Sequence, residues 1–216
     1  MIIETAAERP EASFDRRFHE ARLLEREDQF DRAIEIYREL LTEAPYDIRV
    51  RNNLGCLYEK RGNFLKALEQ YEAAREAAPD NVAVLLNIGS ALASLSRFEQ
   101  AEKELRNAQK LDPSRSDVYT QLGIMNFKRG RYNHAEVELK RAIELDSENG
   151  AAFYYRGEAL NQLQRADEAS EMLERAVQLQ PTNARAYYIL GLVYDRKNLR
   201  QEAQQMFRKA REVGAT

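Results

Sequence analysis

Gly55, Gly89, Gly123, Gly157 and Gly191 follow one another at a constant step of 34 residues. Ala33, Ala67, Ala101, Ala135, Ala169 and Ala203 keep the same step, and so do Ala74, Ala108, Ala142, Ala176 and Ala210. Pro45, Pro79, Pro113 and Pro181 form a further row. With only nine glycines and five prolines in 216 residues, rows of this regularity are not coincidence. A fixed period of about 20–50 residues marks a stacked repeat, each unit being one supersecondary element that cannot bury its apolar face alone. With the glycine as position 8, the units are 14–47, 48–81, 82–115, 116–149, 150–183 and 184–216.

Inside a unit the apolar residues fall at helical spacing twice. In the second repeat Val50, Leu54, Leu57 and Tyr58 follow three- and four-residue steps, and Phe64, Ala67, Leu68 and Tyr71 repeat the pattern. The intervening Lys60-Arg61-Gly62-Asn63 is a short polar turn. Each unit is therefore helix A, a tight turn, helix B and a break. Pro79 cannot continue a helix, lacking an amide proton and clashing with the preceding turn, and Asn81 is suited to cap the next helix A. Small residues let helix axes approach to about 8 Å; Gly55 against Ala67 is the expected contact within the pair, and Ala74 the contact to the next unit. Residues 1–13, interrupted by Pro10, read as a flexible leader or a docking peptide, with Ser13 as N-cap of the first helix.

The pattern resembles the tetratricopeptide repeat: an aromatic at position 4, Leu-Gly at 7 and 8, Tyr at 11, Ala at 20, an aromatic at 24, Ala at 27 and Pro at 32. Repeat 6 carries it nearly whole in Tyr187, Leu190, Gly191, Tyr194, Ala203, Phe207 and Ala210. The resemblance spans residues 14–216 and implies an all-α fold, a right-handed α-solenoid (superhelix) of six helix-turn-helix units. It also implies a protein–protein interaction scaffold or adaptor. The first repeat departs from the pattern, with Arg17, Glu20 and Ala21 at positions 4, 7 and 8, which suits a terminal unit with no predecessor to pack on. Tyr119, Phe153 and Tyr187 stand where the family has Trp, a core position.

The rest of the composition removes other classes of function. Thirty-three Lys and Arg nearly balance 36 Asp and Glu, leaving a net charge of −3, where a nucleic-acid binder would show a basic excess. The best basic cluster, Lys128, Arg129, Arg131, Lys140 and Arg141, lacks the interleaved stacking aromatics that single strands need, so no nucleic-acid partner is expected. Cys56 is the sole cysteine, which rules out an intrachain disulfide and a four-thiolate metal site. It reads as a small half-buried filler, and with no basic neighbour to lower its pKa it is not a nucleophile. His19 and His134 lie in different repeats without a second nitrogen ligand at metal spacing, and no strand–glycine loop–helix cradle exists for phosphate. No enzyme, metal or cofactor is expected. A three-residue apolar start is not a signal of about 7–15 apolar residues, nor is any run long enough to span a membrane; the expected location is the cytoplasm.

In the family, helix A lines the inside of the curve, and positions 2, 5, 9 and 12 form one stripe on it. In the last three repeats the stripe reads Ile124 and Phe127, then Tyr154, Glu158 and Asn161, then Tyr188, Leu192 and Asp195. Aromatic and apolar residues dotted with polar ones suit capture of an extended or helical peptide, and tyrosines are frequent hot spots. Tyr155, next to the stripe, fits core or groove. Asn53 and Asn87 at position 6 either bond a bound peptide's backbone or face water. Relatives that hold chaperone C-terminal tails use Lys at position 5 and Arg at position 6; this chain has neither, so such a tail is not the expected ligand. The alternative is a self-assembling scaffold, because no further helix is seen to cover Phe207 and Val213 in the last repeat.

Overall fold

The computed structural model of the protein describes residues 10–214. Among them the chain is helix and turn, without a strand, in the order α1 (Pro10–Arg26), α2 (Phe30–Glu43), α3 (Ile48–Lys60), α4 (Phe64–Ala77), α5 (Val82–Ser94), α6 (Phe98–Leu111), α7 (Ser116–Lys128), α8 (Tyr132–Leu145), α9 (Gly150–Gln162), α10 (Ala166–Leu179), α11 (Ala184–Arg196) and α12 (Arg200–Gly214). Odd helices are helix A of successive repeats and even ones helix B. The chain divides into two compact units, one ending at Leu95 and the other beginning at Ser96. The boundary falls in the turn between α5 and α6, and the helices on either side of it follow the helix-turn-helix order of the all-α solenoid architecture that the period implies.

The same chemistry ends and restarts the helices at each step. Asp47, Asn81, Asn149 and Asn183 all accept backbone N–H bonds at the start of a helix A, satisfying donors that have no partner inside the helix. Asp47 Oδ1 takes Arg49 N at 2.9 Å and Val50 N at 3.1 Å. Between helices A and B the backbone passes once through the left-handed region, at Asp28, Gly62, Ser96, Gly130, Gln164 and Asn198, again 34 residues apart. That conformation costs an L-residue roughly 1–2 kcal/mol. Glycine removes the cost in repeats 2 and 4, and Asp28 and Asn198 are of the types that tolerate it. Ser96 and Gln164 adopt it without either advantage.

One expectation at the N-terminus is corrected. Helix α1 includes residues 10–13, so Ser13 lies inside the helix and is not its cap. A proline sits without penalty in a first turn, where its missing N–H would have had no partner, and Pro10 therefore does not interrupt the helix. Residues 1–9 of the expected leader lie outside the described residues.

In the first unit Tyr37, Leu40, Leu54, Leu57 and Tyr71 are buried. Inside the second repeat the Tyr71 ring lies over Gly55: a Cβ at Gly55 would lie less than 3.0 Å from three atoms of that ring. The second unit repeats the arrangement, with Gly123 under Leu139, Gly157 under Leu173 and Gly191 under Phe207. Position 8 thus accommodates position 24 of the partner helix. The fully buried Ala67, Ala135 and Ala169 let the two backbones come close enough for it. Around this seam the second unit buries Ala135, Leu139, Ala142, Ala152 and Ala159 in one cluster. A second cluster holds Phe153, Tyr154, Leu160, Leu173, Leu190 and Val193.

Candidate partner-binding face

Helix α9 is the middle helix A of the second unit and packs against both α7 and α11. Its stripe is consequently deep. Tyr154 is 6 % exposed, Glu158 5 % and Asn161 5 %, although all three were expected to line an open groove. The flanking helices α7 and α11 cover them, a consequence of packing that a residue's place in the helical period does not fix. On α11 the corresponding residues are open: Tyr188 is 51 % exposed, Asp195 is exposed and Leu192 half-buried. On α7, Ile124 and Phe127 are half-buried, and the Phe127 ring is engaged from two sides, 5.5 Å from Tyr132 and 5.8 Å from Tyr155. Tyr155 continues the contact edge-on to Tyr154 at 4.9 Å.

The polar groups of this face are unequally matched. Asn161 Oδ1 accepts from Arg196 Nη1 at 2.8 Å, which settles that buried amide. Glu158 Oε1 meets only the far-reaching Arg185 Nη2, at 3.4 Å. Glu158 Oε2 and the Tyr154 hydroxyl are buried, and neither has a hydrogen-bond partner beyond the other. Burial first, and then a hydrogen bond to the Glu158 carboxylate one turn on, push the Tyr154 phenol well above its ordinary range. Burial does the same to Tyr155, and Glu158 raises Arg185 in turn. Beside Tyr188 a cleft of about 610 Å³ opens between α11 and α12, lined by Ala184, Arg185, Tyr188, Phe207, Ala210 and Arg211. The Tyr188 and Phe207 rings stand 5.6 Å apart in it.

Two of the expected residues belong to the first unit, where each is hydrogen-bonded to a neighbouring helix. Asn53 Nδ2 donates to the Tyr37 hydroxyl at 3.1 Å, and that hydroxyl is also bonded to Glu25. Asn87 Nδ2 donates to Asn52 Oδ1 at 2.6 Å. Both side-chain amides therefore fasten helix A to its neighbours within the first unit.

The family model described as the cilia and flagella-associated protein 70 C-terminal domain, a tetratricopeptide-repeat model, matches residues 4–216. The chain belongs to this tetratricopeptide-repeat family. No curated protein sequence matches it. Among solved structures it is similar to the crystal structure of MamA, with 31 % identity over 75 % of this chain and 95 % of that one, at a TM-score of 0.62. The fold alone is shared with the APC/C hetero-tetramer Cut9–Hcn1, at 16 % identity, 93 % of this chain, 40 % of that one and a TM-score of 0.83. It is shared likewise with a tetratricopeptide repeat protein from Parabacteroides merdae, at 18 % identity, 93 % and 78 % coverage and a TM-score of 0.79.

Within the tetratricopeptide numbering, Arg185 occupies position 2 of repeat 6 and was not singled out by sequence. Its signal is there in retrospect, three residues before Tyr188 on the same stripe. The cleft residues Phe207, Ala210 and Arg211 sit on helix B, where a reading confined to helix A does not look. Elsewhere the tetratricopeptide scaffold holds its charges in place. Arg129 pairs with Glu99 at 2.5 Å and Glu102 at 3.4 Å, and Arg141 with Glu144 at 3.0 Å, so these members of the basic cluster are answered by carboxylates. Burial raises the Cys56 thiol, the opposite of what a nucleophile needs. Among the described residues no group of three His, Cys, Asp or Glu side chains could hold a metal ion, and no helix is long and apolar enough to cross a membrane.

Proposed function

We propose that the protein is a non-catalytic scaffold that holds a segment of another polypeptide against the helix A face of repeats 4 to 6. Tetratricopeptide repeats are as a family protein-interaction modules, and the observation that carries the reading here is the exposed Tyr188 beside an open, mostly apolar cleft. A tyrosine half in solvent next to such a cleft gives a partner large contact area at low entropic cost. Leu192 and Asp195 extend the surface along α11, while Ile124 and Phe127 border it on α7. Tyr188→Ala is expected to weaken a captured partner at least tenfold in a calorimetric titration, with unchanged helicity by circular dichroism. Equal affinity for the variant removes the reading.

A second reading has the same cleft as its motive. Phe207 and Ala210 on α12 form an apolar surface that another copy of the chain could cover, building a self-assembling scaffold. Light scattering after gel filtration separates the two. Self-assembly predicts a mass that rises above 25.0 kDa with concentration; a constant single-chain mass eliminates it.

A further inference from the structure

We propose that the cleft between α11 and α12 takes an acidic amphipathic helix of the partner, lying as a helix A lies on the repeat before it, with its carboxylates against Arg185, Arg208 and Arg211. The proposal rests on the partner-binding reading of this face and names the kind of segment that the face takes.

The second unit contains the same seam three times, and two copies are filled. Leu139 and Ala142 of repeat 4 pack under α9, and Leu173 and Ala176 of repeat 5 under α11; all four are fully buried. Their counterparts in repeat 6, Phe207 and Ala210, are only half-buried, and Tyr188 beside them is exposed. The open cleft is therefore the third copy of a helix-binding seam. The filled copies show what fits. Helix α11 sets Ala186, Leu190 and Val193 into the seam, at i, i+4 and i+7, and α9 sets Ala152 and Ala159. A small residue stands first in both.

Charge distinguishes the open copy. Position 28 is Ile143 and then Val177 in the filled copies, but Arg211 in the open one; position 2 is Asp117, then Ala151, then Arg185. Position 25 reaches the helix A that follows. In the first unit Arg38 Nη2 donates to the Tyr58 hydroxyl at 2.9 Å, and in the second the Tyr194 hydroxyl donates to Glu174 at 2.8 Å. Repeat 6 has Arg208 at this position. Arg185 meets Glu158 at 3.4 Å with 71 % of its side chain in solvent. Arg211 bonds the Phe207 carbonyl of its own helix, and among the described residues no carboxylate pairs with Arg208 or Arg211.

The orientation of the covering helix follows from the filled copies too. Asn149, the N-cap of α9, donates to Ser116 Oγ and Thr120 Oγ1, at positions 1 and 5 of the helix beneath. In repeat 6 those positions are Ala184 and Tyr188, beside Arg185. A helix entering this way brings its positive N-terminal end to a cluster of guanidiniums. Asp or Glu in its first turn removes that repulsion, and one more directly after its last apolar residue stands where Tyr58 and Tyr194 meet position 25, in reach of Arg208. A second copy of the chain is the poorer occupant. Its first helix A, α1, has Arg16 and Arg17 where α11 has Ala186 and Tyr187, and Glu20 where α11 has Leu190. It would add two cations to the cluster and press a charge into the seam.

The test titrates blocked peptides into the full chain, followed by ¹⁵N chemical shifts. The first is acetyl-Asp-Glu-Glu-Ala-Glu-Lys-Ala-Leu-Lys-Ala-Leu-Glu-Lys-Ala-amide; the second has Asn and Gln for every Asp and Glu; the third is the first with Gln for both leucines. The acidic peptide is expected to bind about tenfold more tightly than the second, since each exposed ion pair adds only a fewfold, and to shift the amides of Tyr188, Phe207 and Ala210. The third should not bind. Arg208→Gln and Arg211→Gln should each weaken the acidic peptide a fewfold and leave the second unchanged. Lys110→Gln, an equal charge change at an exposed site of α6, should alter neither. Equal binding of the first two peptides, still weakened by Tyr188→Ala, would leave the face intact and refute its preference for acid. Failure of both to bind refutes the helical occupant, and the effect of Tyr188→Ala on a captured partner then decides the face itself. A chain mass that rises with concentration and is not lowered by the acidic peptide would give the cleft to a second copy and overturn the proposal.

Discussion

Gly55→Val is expected to lower the unfolding free energy by about 3 kcal/mol, the upper end of ordinary overpacking costs. The added Cβ alone would lie less than 3.0 Å from three atoms of the Tyr71 ring. That ring has no free side to move to: Tyr71 is fully buried. Its hydroxyl lies 3.1 Å from Glu59 Oε2 and 3.4 Å from Cys56 Sγ. The clash must therefore be relieved by separating α3 from α4, which breaks the seam around Ala67. Gly55→Ala meets the same first carbon but recovers about 1 kcal/mol of helix propensity, so its loss should be smaller. Urea unfolding of the two variants checks the order. A valine variant within about 0.5 kcal/mol of wild type, the range of ordinary surface substitutions, would mean that the pair can open freely.

What was legible in the sequence divides along a physical line. Whatever depends on a residue's own backbone or size was visible: the glycine row marks the close approach, Pro79 the break, Asn81 the cap. What depends on a neighbour was not. Gly55 announced a close contact, but that the Tyr71 ring lies over it depends on which way a ring on another helix points. The left-handed turn position was hidden at Gln164, where the backbone adopts a conformation that the residue itself disfavours. Ser13 carried a capping side chain but lies inside a helix that includes Pro10. The stripe on helix A was correct as a spacing, and yet its middle portion is covered by α7 and α11 while its last portion is open.

That last difference has a measurable outcome. Tyr154→Ala is expected to cost about 3–5 kcal/mol, as large aromatic truncations in a core do, because Tyr154 belongs to the buried cluster with Phe153, Leu160 and Leu190. Tyr188→Ala, from the equivalent position one repeat later, should cost less than about 1 kcal/mol, since its ring is half in solvent and loses chiefly the contact to Phe207. A binding defect in a chain carrying both substitutions would therefore say little about recognition, and Tyr188 alone is the informative position. Tyr154→Phe separates ring from hydroxyl. Removing a hydroxyl whose one partner is the Glu158 carboxylate should cost about 1.5–3 kcal/mol, the range for a hydrogen bond to a charged group. A change within about 0.5 kcal/mol for Tyr154→Phe in urea unfolding, the range of ordinary surface substitutions, would mean that this bond adds nothing to the fold.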